Sequence, residues 1–198
     1  MIRMSAEERR VYFKQLLPYL KTSLAIFGIG MAIGLIVVSH FPETAERFES
    51  SVIGFVGIFR GLSKLELAAA IFLNNAVKTL LAILLGGLVA IIPAILLFAN
   101  GIALGVVFSL STQARGLWLS LLSIVPHGVL ELPAVFLGTS IGLMIGTKVI
   151  QRLLRPAETT VASELARGLR FFLTVILPLL LVAALVEAFL TSALVSPR

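Results

Sequence analysis

His127 and Glu131 are the residues whose types and spacing are best suited to chemistry. They occur in the segment PHGVLELP, residues 126–133, inside an apolar stretch. A spacing of four places both side chains on one helix face, where they could share a proton or bind a ligand jointly. An ionisable pair in a membrane span is costly to bury, which makes it a functional-site hypothesis by default. Two ligands from one helix do not make a metal site, so no metal or other cofactor is predicted.

Lys78 is another ionisable group, near the middle of a different apolar segment. A solitary ammonium at the centre of a span costs about 2.5 to 3.5 kcal/mol on insertion scales, so we expect Lys78 to face the bundle and find a partner. Glu131 and Glu187 are the carboxylates that fall well inside other predicted spans. Either of them is a candidate partner for Lys78.

Three asparagines extend this polar group, and Asn100 together with Gly101 is predicted to unwind its helix locally. Amides in spans either form interhelical hydrogen bonds, worth about 0.6 kcal/mol each on average, or line a substrate path. Both interpretations stay open here. The predicted intramembrane polar site comprises Asn74, Asn75, Lys78, Asn100, His127, Glu131 and Glu187, with no catalytic and no metal-binding residue.

The composition places these residues in a membrane protein. Of 198 residues, 59% are hydrophobic and 13% are charged, and the mean hydropathy is +1.07. Ordinary soluble domains carry about twice that share of charge. The net charge of +6 comes from basic residues at segment ends without a glycine-rich phosphate loop, so it indicates membrane topology rather than nucleic-acid binding.

Several enzyme classes are excluded by the residues themselves. The chain has no cysteine, which removes disulfide and thiolate chemistry. All ten acidic residues are glutamates, so an intramembrane aspartyl-protease dyad is excluded. The His-Glu-x-x-His motif of zinc peptidases and the Gly-x-Ser-x-Gly motif of hydrolases are absent too. We therefore do not predict an enzyme.

The hydrophobic pattern predicts one integral membrane domain over residues 1–198 with an all-α fold. This polytopic helical bundle would have about five transmembrane helices, a short re-entrant or interfacial half-helix, and amphipathic helices at the surface. Residues 1–20 are predicted to form a cytoplasmic interfacial helix and residues 42–64 an interfacial helix outside. The spans are expected at about 22–41, 66–89, 91–111, 127–147 and 171–194.

The stretch from Leu117 to Val149 is too long for one span. As a single helix it would measure about 50 Å, against a hydrocarbon core of about 30 Å. Proline lacks a backbone donor and suits the first turn of a new helix, so a break is expected at Pro126. Residues 117–124 would then form the half-helix, either re-entrant or lying on the membrane surface.

Glycines at helical spacing predict close helix packing. Gly138, Gly142 and Gly146 give the fourth span a smooth groove over two turns, which suits another span or a second protomer. Gly30 and Gly34 form a shorter motif of the same kind in the first span.

The distribution of basic residues predicts the orientation. Most lysines and arginines fall near the N-terminus and between residues 148 and 170, which favours a cell-membrane protein with a cytoplasmic N-terminus and an outside C-terminus. The basic group of Lys148, Arg152 and Arg155 suits anionic lipid headgroups.

Taken in order, several short motifs resemble the stage II sporulation protein M family, an integral membrane domain of unknown function. They are Asn74-Asn75, Asn100-Gly101-x-x-x-Gly105, the histidine-centred segment 126–133, and EAFLT at residues 187–191. The resemblance covers nearly the whole chain and implies a multi-pass membrane fold. It also implies, more loosely, the role of the founding member, a scaffold that works with two peptidoglycan-degrading partners during engulfment.

Two functions follow as hypotheses. The first is a scaffold or recruiter in a membrane or cell-envelope complex, acting as a homo-oligomer, most simply a dimer, or with other envelope proteins. The alternative is a transporter or lipid or ion translocase, in which the polar residues line a path through the bundle. A translocase would have a wet cavity reaching Lys78, whereas a scaffold would bury the polar group dry.

Overall fold

A computed structural model shows the chain as a helical bundle and describes residues 4–57, 61–87, 90–154 and 161–191. Within the helices, the side chains of residues 45, 46, 49, 52–56, 123–127, 130, 190 and 191 lie outside the described part. The α-helices are α1 (Ala6–His40), α2 (Pro42–Gly57), α3 (Lys64–Gly86), α4 (Ile91–Arg115), α5 (Leu117–Leu154), α6 (Val161–Phe171) and α7 (Leu177–Val186). Two π-helical segments, π1 (Phe172–Ile176) and π2 (Glu187–Thr191), follow α6 and α7.

The all-α polytopic fold is confirmed. Among the described residues, five helical segments are long and apolar enough to cross a membrane, and none of the described residues forms a strand. The five segments are Ala6–His40, Lys64–Gly86, Ile91–Arg115, Glu131–Leu154 and Val161–Phe189. The predicted boundary between the second and third spans is present, since α3 ends at Gly86 and α4 begins at Ile91.

Two of the long helices begin at a capping motif that is visible in the sequence. Ser5 precedes α1 and accepts a hydrogen bond from the Glu8 backbone N–H, while the Glu8 carboxylate accepts one from the Ser5 N–H. Ser63 and Glu66 form the same reciprocal pair at the start of α3. Such a capping box satisfies backbone donors that lack a partner within the helix.

Glycines bring α1 and α4 into backbone contact. A Cβ atom placed on Gly34 would lie 3.0 Å from the Gly105 Cα and would overlap the Ile102 carbonyl oxygen. A Cβ atom on Gly30 would overlap the Phe98 carbonyl oxygen in the same way. Residue numbers rise together along both helices at these contacts, so α1 and α4 run parallel.

The three glycines of α5 make the corresponding contact with α3 and the turn that follows it. A Cβ atom on Gly138 would collide with the Thr79 side chain, and one on Gly146 would lie 2.7 Å from the Gly86 carbonyl oxygen. Gly142 meets the Ala82 carbonyl oxygen between them. The glycine groove therefore packs within one chain, and α3 runs parallel to α5.

The helices alternate in direction through the bundle. The Ser23 and Ser140 hydroxyls lie 3.2 Å apart, and the Phe27 and Phe136 rings meet edge to face at 5.1 Å. Residue numbers fall along α5 as they rise along α1, so these helices are antiparallel. The α5–α6 contacts described below are antiparallel too. The beginning of α1 and the end of π2 therefore lie at opposite ends of the bundle.

We call the end where α1 begins the basic end. It gathers the end of α3, the end of α5 and the start of α6, together with Arg9, Arg10, Lys14, Arg152, Arg167 and Arg170. The opposite end gathers the starts of α2 and α3 with Glu43 and Glu66.

The predicted break at Pro126 is wrong, because α5 is one continuous α-helix of 38 residues. Its length, about 57 Å, exceeds the hydrocarbon thickness. Proline removes one hydrogen bond, a loss that neighbouring helices commonly compensate within membrane bundles. The predicted half-helix at 117–124 is therefore part of α5.

Two other predicted boundaries also differ. Residues from Ala6 to His40 form one helix, so the described part of residues 1–20 is continuous with the first span. Within it, Tyr12 and Leu16 are fully buried and pack against the bundle. The last helical segment begins at Val161 rather than near residue 171.

The interfacial helix predicted for residues 42–64 corresponds to α2, whose Phe48 packs near Val38 and Val106.

Candidate functional site

The polar residues of α3 divide between the inside and the outside of the bundle. Asn75 is 7% exposed and accepts a hydrogen bond of 3.3 Å from the half-buried Asn74 amide. Lys78 lies on the exposed side of the same helix. Members of the predicted polar group on this helix therefore point in different directions, Asn75 inward and Lys78 outward.

The expected ion pair of Lys78 with Glu131 or Glu187 is not present, since Lys78 makes no ion pair in the part of the chain that the structure describes. The register of the parallel helices explains the Glu131 case. Thr79 lies against Gly138, so Glu131 is seven residues, about 10 Å, nearer the opposite end.

Glu187 is farther from Lys78 for a similar reason. It begins π2, and Phe189 of that segment lies 5.8 Å from the Lys64 ammonium at the start of α3. Lys78 is 14 residues farther along α3, about 21 Å by helical rise. Neither carboxylate is placed to neutralise the Lys78 ammonium.

Glu131 and Glu187 occupy the same half of the bundle. Glu131 is 7% exposed on α5, Glu187 is half-buried in π2, and α5 and π2 are in contact. His127 belongs to α5 by its backbone, but its side chain lies outside the described residues. The His127–Glu131 pairing therefore stays a prediction.

Asn100 is exposed on α4, and the unwinding predicted at Asn100-Gly101 is wrong. The helix is continuous from Ile91 to Arg115, and a Cβ atom on Gly101 would collide with the Phe27 carbonyl oxygen. Gly101 is thus required for close packing on α1, while its neighbour Asn100 faces outward. The exposed Lys78 and Asn100 therefore do not converge on one site with the buried Asn75 and Glu131.

A different charged cluster does form, at the basic end. Glu164 of α6 is buried, and its side chain is only 5% exposed. Its Oε1 lies 2.7 Å from the Lys148 Nζ of α5 and 3.2 Å from the Arg167 Nη1, one turn along α6. Two cations thus neutralise one buried carboxylate, as burial of a charge requires.

Arg167 also contacts α1. Its Nη2 donates a hydrogen bond of 3.2 Å to the Gln15 Oε1, and its guanidinium lies 5.0 Å from the centre of the Tyr12 ring. Tyr12 is fully buried, and its hydroxyl has no hydrogen-bond partner in the described part of the chain. We call Tyr12, Gln15, Lys148, Glu164 and Arg167 the basic-end cluster. It joins α1, α5 and α6.

The sequence interpretation missed this cluster because basic residues between positions 148 and 170 predict only orientation and headgroup contact. One signal was present: Glu164, Gly168 and Phe171 share a helix face, and all three are buried. A Cβ atom on Gly168 would lie 2.7 Å from the Ile141 side chain, so this face is pressed against α5. Charged residues at the end of a span usually indicate only membrane orientation, although Glu164 is buried in the bundle.

Of the three residues predicted to contact lipid headgroups, Lys148, Arg152 and Arg155, only Arg152 is both described and exposed. Lys148 is half-buried and engaged by Glu164, Arg152 is exposed, and Arg155 lies outside the described residues. A half-open cleft of about 390 Å³ lies beside the basic-end cluster, lined by Met4, Ser5, Glu7, Glu8, Val11, Arg167 and Arg170.

Comparison with known proteins gives one match. A family model described as stage II sporulation protein M matches residues 23–192. No curated protein and no solved structure matches the chain. The matched range includes Lys78, Glu131, Lys148, Glu164 and Glu187, whereas the α1 part of the basic-end cluster precedes it.

Proposed function

The chain belongs to the stage II sporulation protein M family, and on that premise we propose that it is a non-enzymatic scaffold or recruiter in a membrane or cell-envelope complex. The observation that carries this proposal is the outward placement of Lys78 and Asn100, two polar residues within spans. A polar group at the outer surface of a span is suited to contact with another protein. It does not line a path through the bundle.

The packing of the spans also supports a structural role. The α1–α4 and α3–α5 contacts bring backbone against backbone at glycines. Contacts of this kind hold helices together by close van der Waals packing. A rigid bundle suits a protein that presents a fixed surface to its partners.

The partner is a second copy of the chain, most simply in a dimer, or another envelope protein embedded in the same bilayer. No nucleic acid and no cofactor enters this proposal. The protein would lie in the cell membrane with the basic end in the cytoplasm, which places the N-terminus inside and the C-terminus outside. The concentration of arginines and lysines at the basic end favours that orientation.

Two measurements on the full chain test the scaffold proposal. Cross-linking in intact membranes should give a species heavier than the 21.2 kDa chain. In proteoliposomes, the purified protein should move neither protons nor fluorescent lipid faster than protein-free vesicles. Flux that is abolished by Glu131→Gln, with unchanged folding, would favour the translocase and overturn the scaffold.

A further inference from the structure

After its first turn, from Leu67 to Gly86, the exposed side of α3 is apolar except at one position. Leu73, Val77, Leu81 and Leu84 follow one another at spacings of three and four and are 39–58% exposed. Lys78 is exposed beside Val77 in this stripe. We call Leu73, Val77, Lys78, Leu81 and Leu84 the α3 outer face.

The depth of Lys78 makes its charge costly on a lipid-facing surface. It is 14 residues after the start of α3 and eight before the end, so its backbone lies about 12 Å from the nearer helix end. That distance exceeds the length of a lysine side chain, which limits relief by extension toward the headgroups. An unpaired ammonium at such a depth is costly, so a counter-charge is expected.

This chain does not supply the counter-charge from its described carboxylates. Glu131 is buried inside the bundle, and Glu187 lies toward the opposite end. Glu66 is exposed at the start of α3, twelve residues before Lys78. The described part of the chain therefore leaves the counter-charge of Lys78 to another molecule.

A second copy is a poor source of that anion. In a two-fold dimer through this surface, each residue meets the same patch of its partner. Because both copies have the same orientation in the bilayer, the two Lys78 ammonium groups would lie at one depth in that patch, where like charges in a low dielectric repel strongly. Charge complementarity favours a different polypeptide.

We propose that the α3 outer face binds a transmembrane helix of another protein that carries a glutamate or aspartate near its midpoint. The carboxylate pairs with the Lys78 ammonium, and the leucines and Val77 pack against the apolar residues around it. This inference rests on the scaffold function and names the surface and the partner chemistry that would carry it.

A synthetic transmembrane peptide tests this chemistry directly. The full chain is reconstituted with a fluorescent leucine–alanine helix that has one central glutamate, and binding is measured by energy transfer. The matched peptide has glutamine at the same position. We expect the glutamate peptide to bind at least about tenfold more tightly, which corresponds to about 1.4 kcal/mol, a difference that close charge pairs at interfaces can supply.

Variants of the chain locate the binding site. Lys78→Met should remove the preference for glutamate, while Lys78→Arg should retain it. Lys64→Met is the matched control, because it removes an exposed lysine from the start of the same helix and leaves the α3 outer face intact. Lys78→Glu should bind the peptide with a central lysine instead. Size-exclusion chromatography verifies that each variant remains folded and monodisperse.

Three results would overturn the proposal. Equal binding of both peptides, or unchanged glutamate preference in Lys78→Met, would mean that the lysine does not anchor a helix. Self-association that Lys78→Met abolishes would assign the surface to a second copy. Energy transfer that depends on anionic lipid and not on the peptide charge would assign Lys78 to headgroups.

Failure here is distinguishable from failure of the scaffold function. If the cross-linked complex persists in Lys78→Met membranes, the scaffold stands and the α3 outer face is the wrong surface. If the peptide binds but wild-type membranes give no complex, the surface chemistry stands and the scaffold is wrong.

Discussion

Glu164 and Lys148 form an ion pair between α6 and α5, with 2.7 Å between the Glu164 Oε1 and the Lys148 Nζ. The carboxylate is 5% exposed, whereas the Lys148 side chain is 30% exposed. The pair therefore sits at the edge of the buried core, with the anion inside and the cation at the rim. Arg167 completes the neutralisation from the same helix as Glu164.

Glu164→Gln is expected to destabilise the bundle by about 2 to 3 kcal/mol. The substitution leaves two partly buried cations without a counter-charge, and their partial exposure keeps the loss below that of a fully buried pair. Thermal unfolding of the detergent-solubilised chain measures the effect. Glu7→Gln is the matched control: Glu7 pairs with Arg10 at 3.9 Å on the exposed surface, and its loss should cost less than about 1 kcal/mol. Equal effects of the two substitutions would contradict a structural role for Glu164.

Lys148→Met should cost less when Glu164 is already glutamine. Residues in direct contact show interaction energies of about 0.5 to 3 kcal/mol in double-mutant cycles, and a 2.7 Å ion pair belongs to that class. The four unfolding free energies of the cycle give the coupling. Arg152→Met, an exposed base one turn farther along α5, should be additive with Glu164→Gln. Additivity for Lys148 would mean that the pair does not hold α5 to α6.

Gly34→Ala is expected to destabilise the chain by about 1 to 3 kcal/mol, because the new methyl group meets the α4 backbone, which cannot rotate away as a flexible side chain can. Gly28→Ala provides the control within the same helix, since a Cβ atom there has nothing within 4 Å. Its stability should be unchanged or slightly higher, as alanine favours helix. The prediction fails if both alanines have the same effect on the unfolding temperature.

Single cysteines will test the orientation without interference, because the chain has none of its own. Glu7→Cys at the basic end and Glu43→Cys at the opposite end are both exposed. On intact cells, a membrane-impermeant maleimide should label position 43 and should reach position 7 only after permeabilisation. The reverse pattern would place the basic end outside.

Much of the fold follows from the sequence because the signal is local. A bilayer requires about 20 consecutive apolar residues per helix, and the chain contains five such stretches separated by charges or glycines. The errors arise where local preference meets long-range packing. Pro126 disfavours a helix on its own, yet α5 continues through it. Asn100-Gly101 predicts an unwound turn, yet the helix is continuous there and Gly101 allows α4 to pack closely against Phe27 of α1.

The site was less predictable, and the reason is geometric. Sequence spacing shows which residues share a helix face but not which helix that face meets. Lys78 was expected to face inward because burial of its charge seemed to demand a partner within the chain. The α3–α5 register at Thr79 and Gly138 leaves Glu131 about 10 Å away along the axis. Glu164 was overlooked because one acid among several bases at a span end resembles ordinary topology.

From the sequence alone, the membrane environment, the all-α class, the number of spans and the family resemblance could be determined, because each depends on composition or on short motifs. The tertiary structure alone decided that the glycines of α1 face those of α4, that Glu164 is enclosed between Lys148 and Arg167, and that Lys78 lies on the outside. These relationships depend on the rotation and register of one helix against another, which are set by the packing of all the spans together.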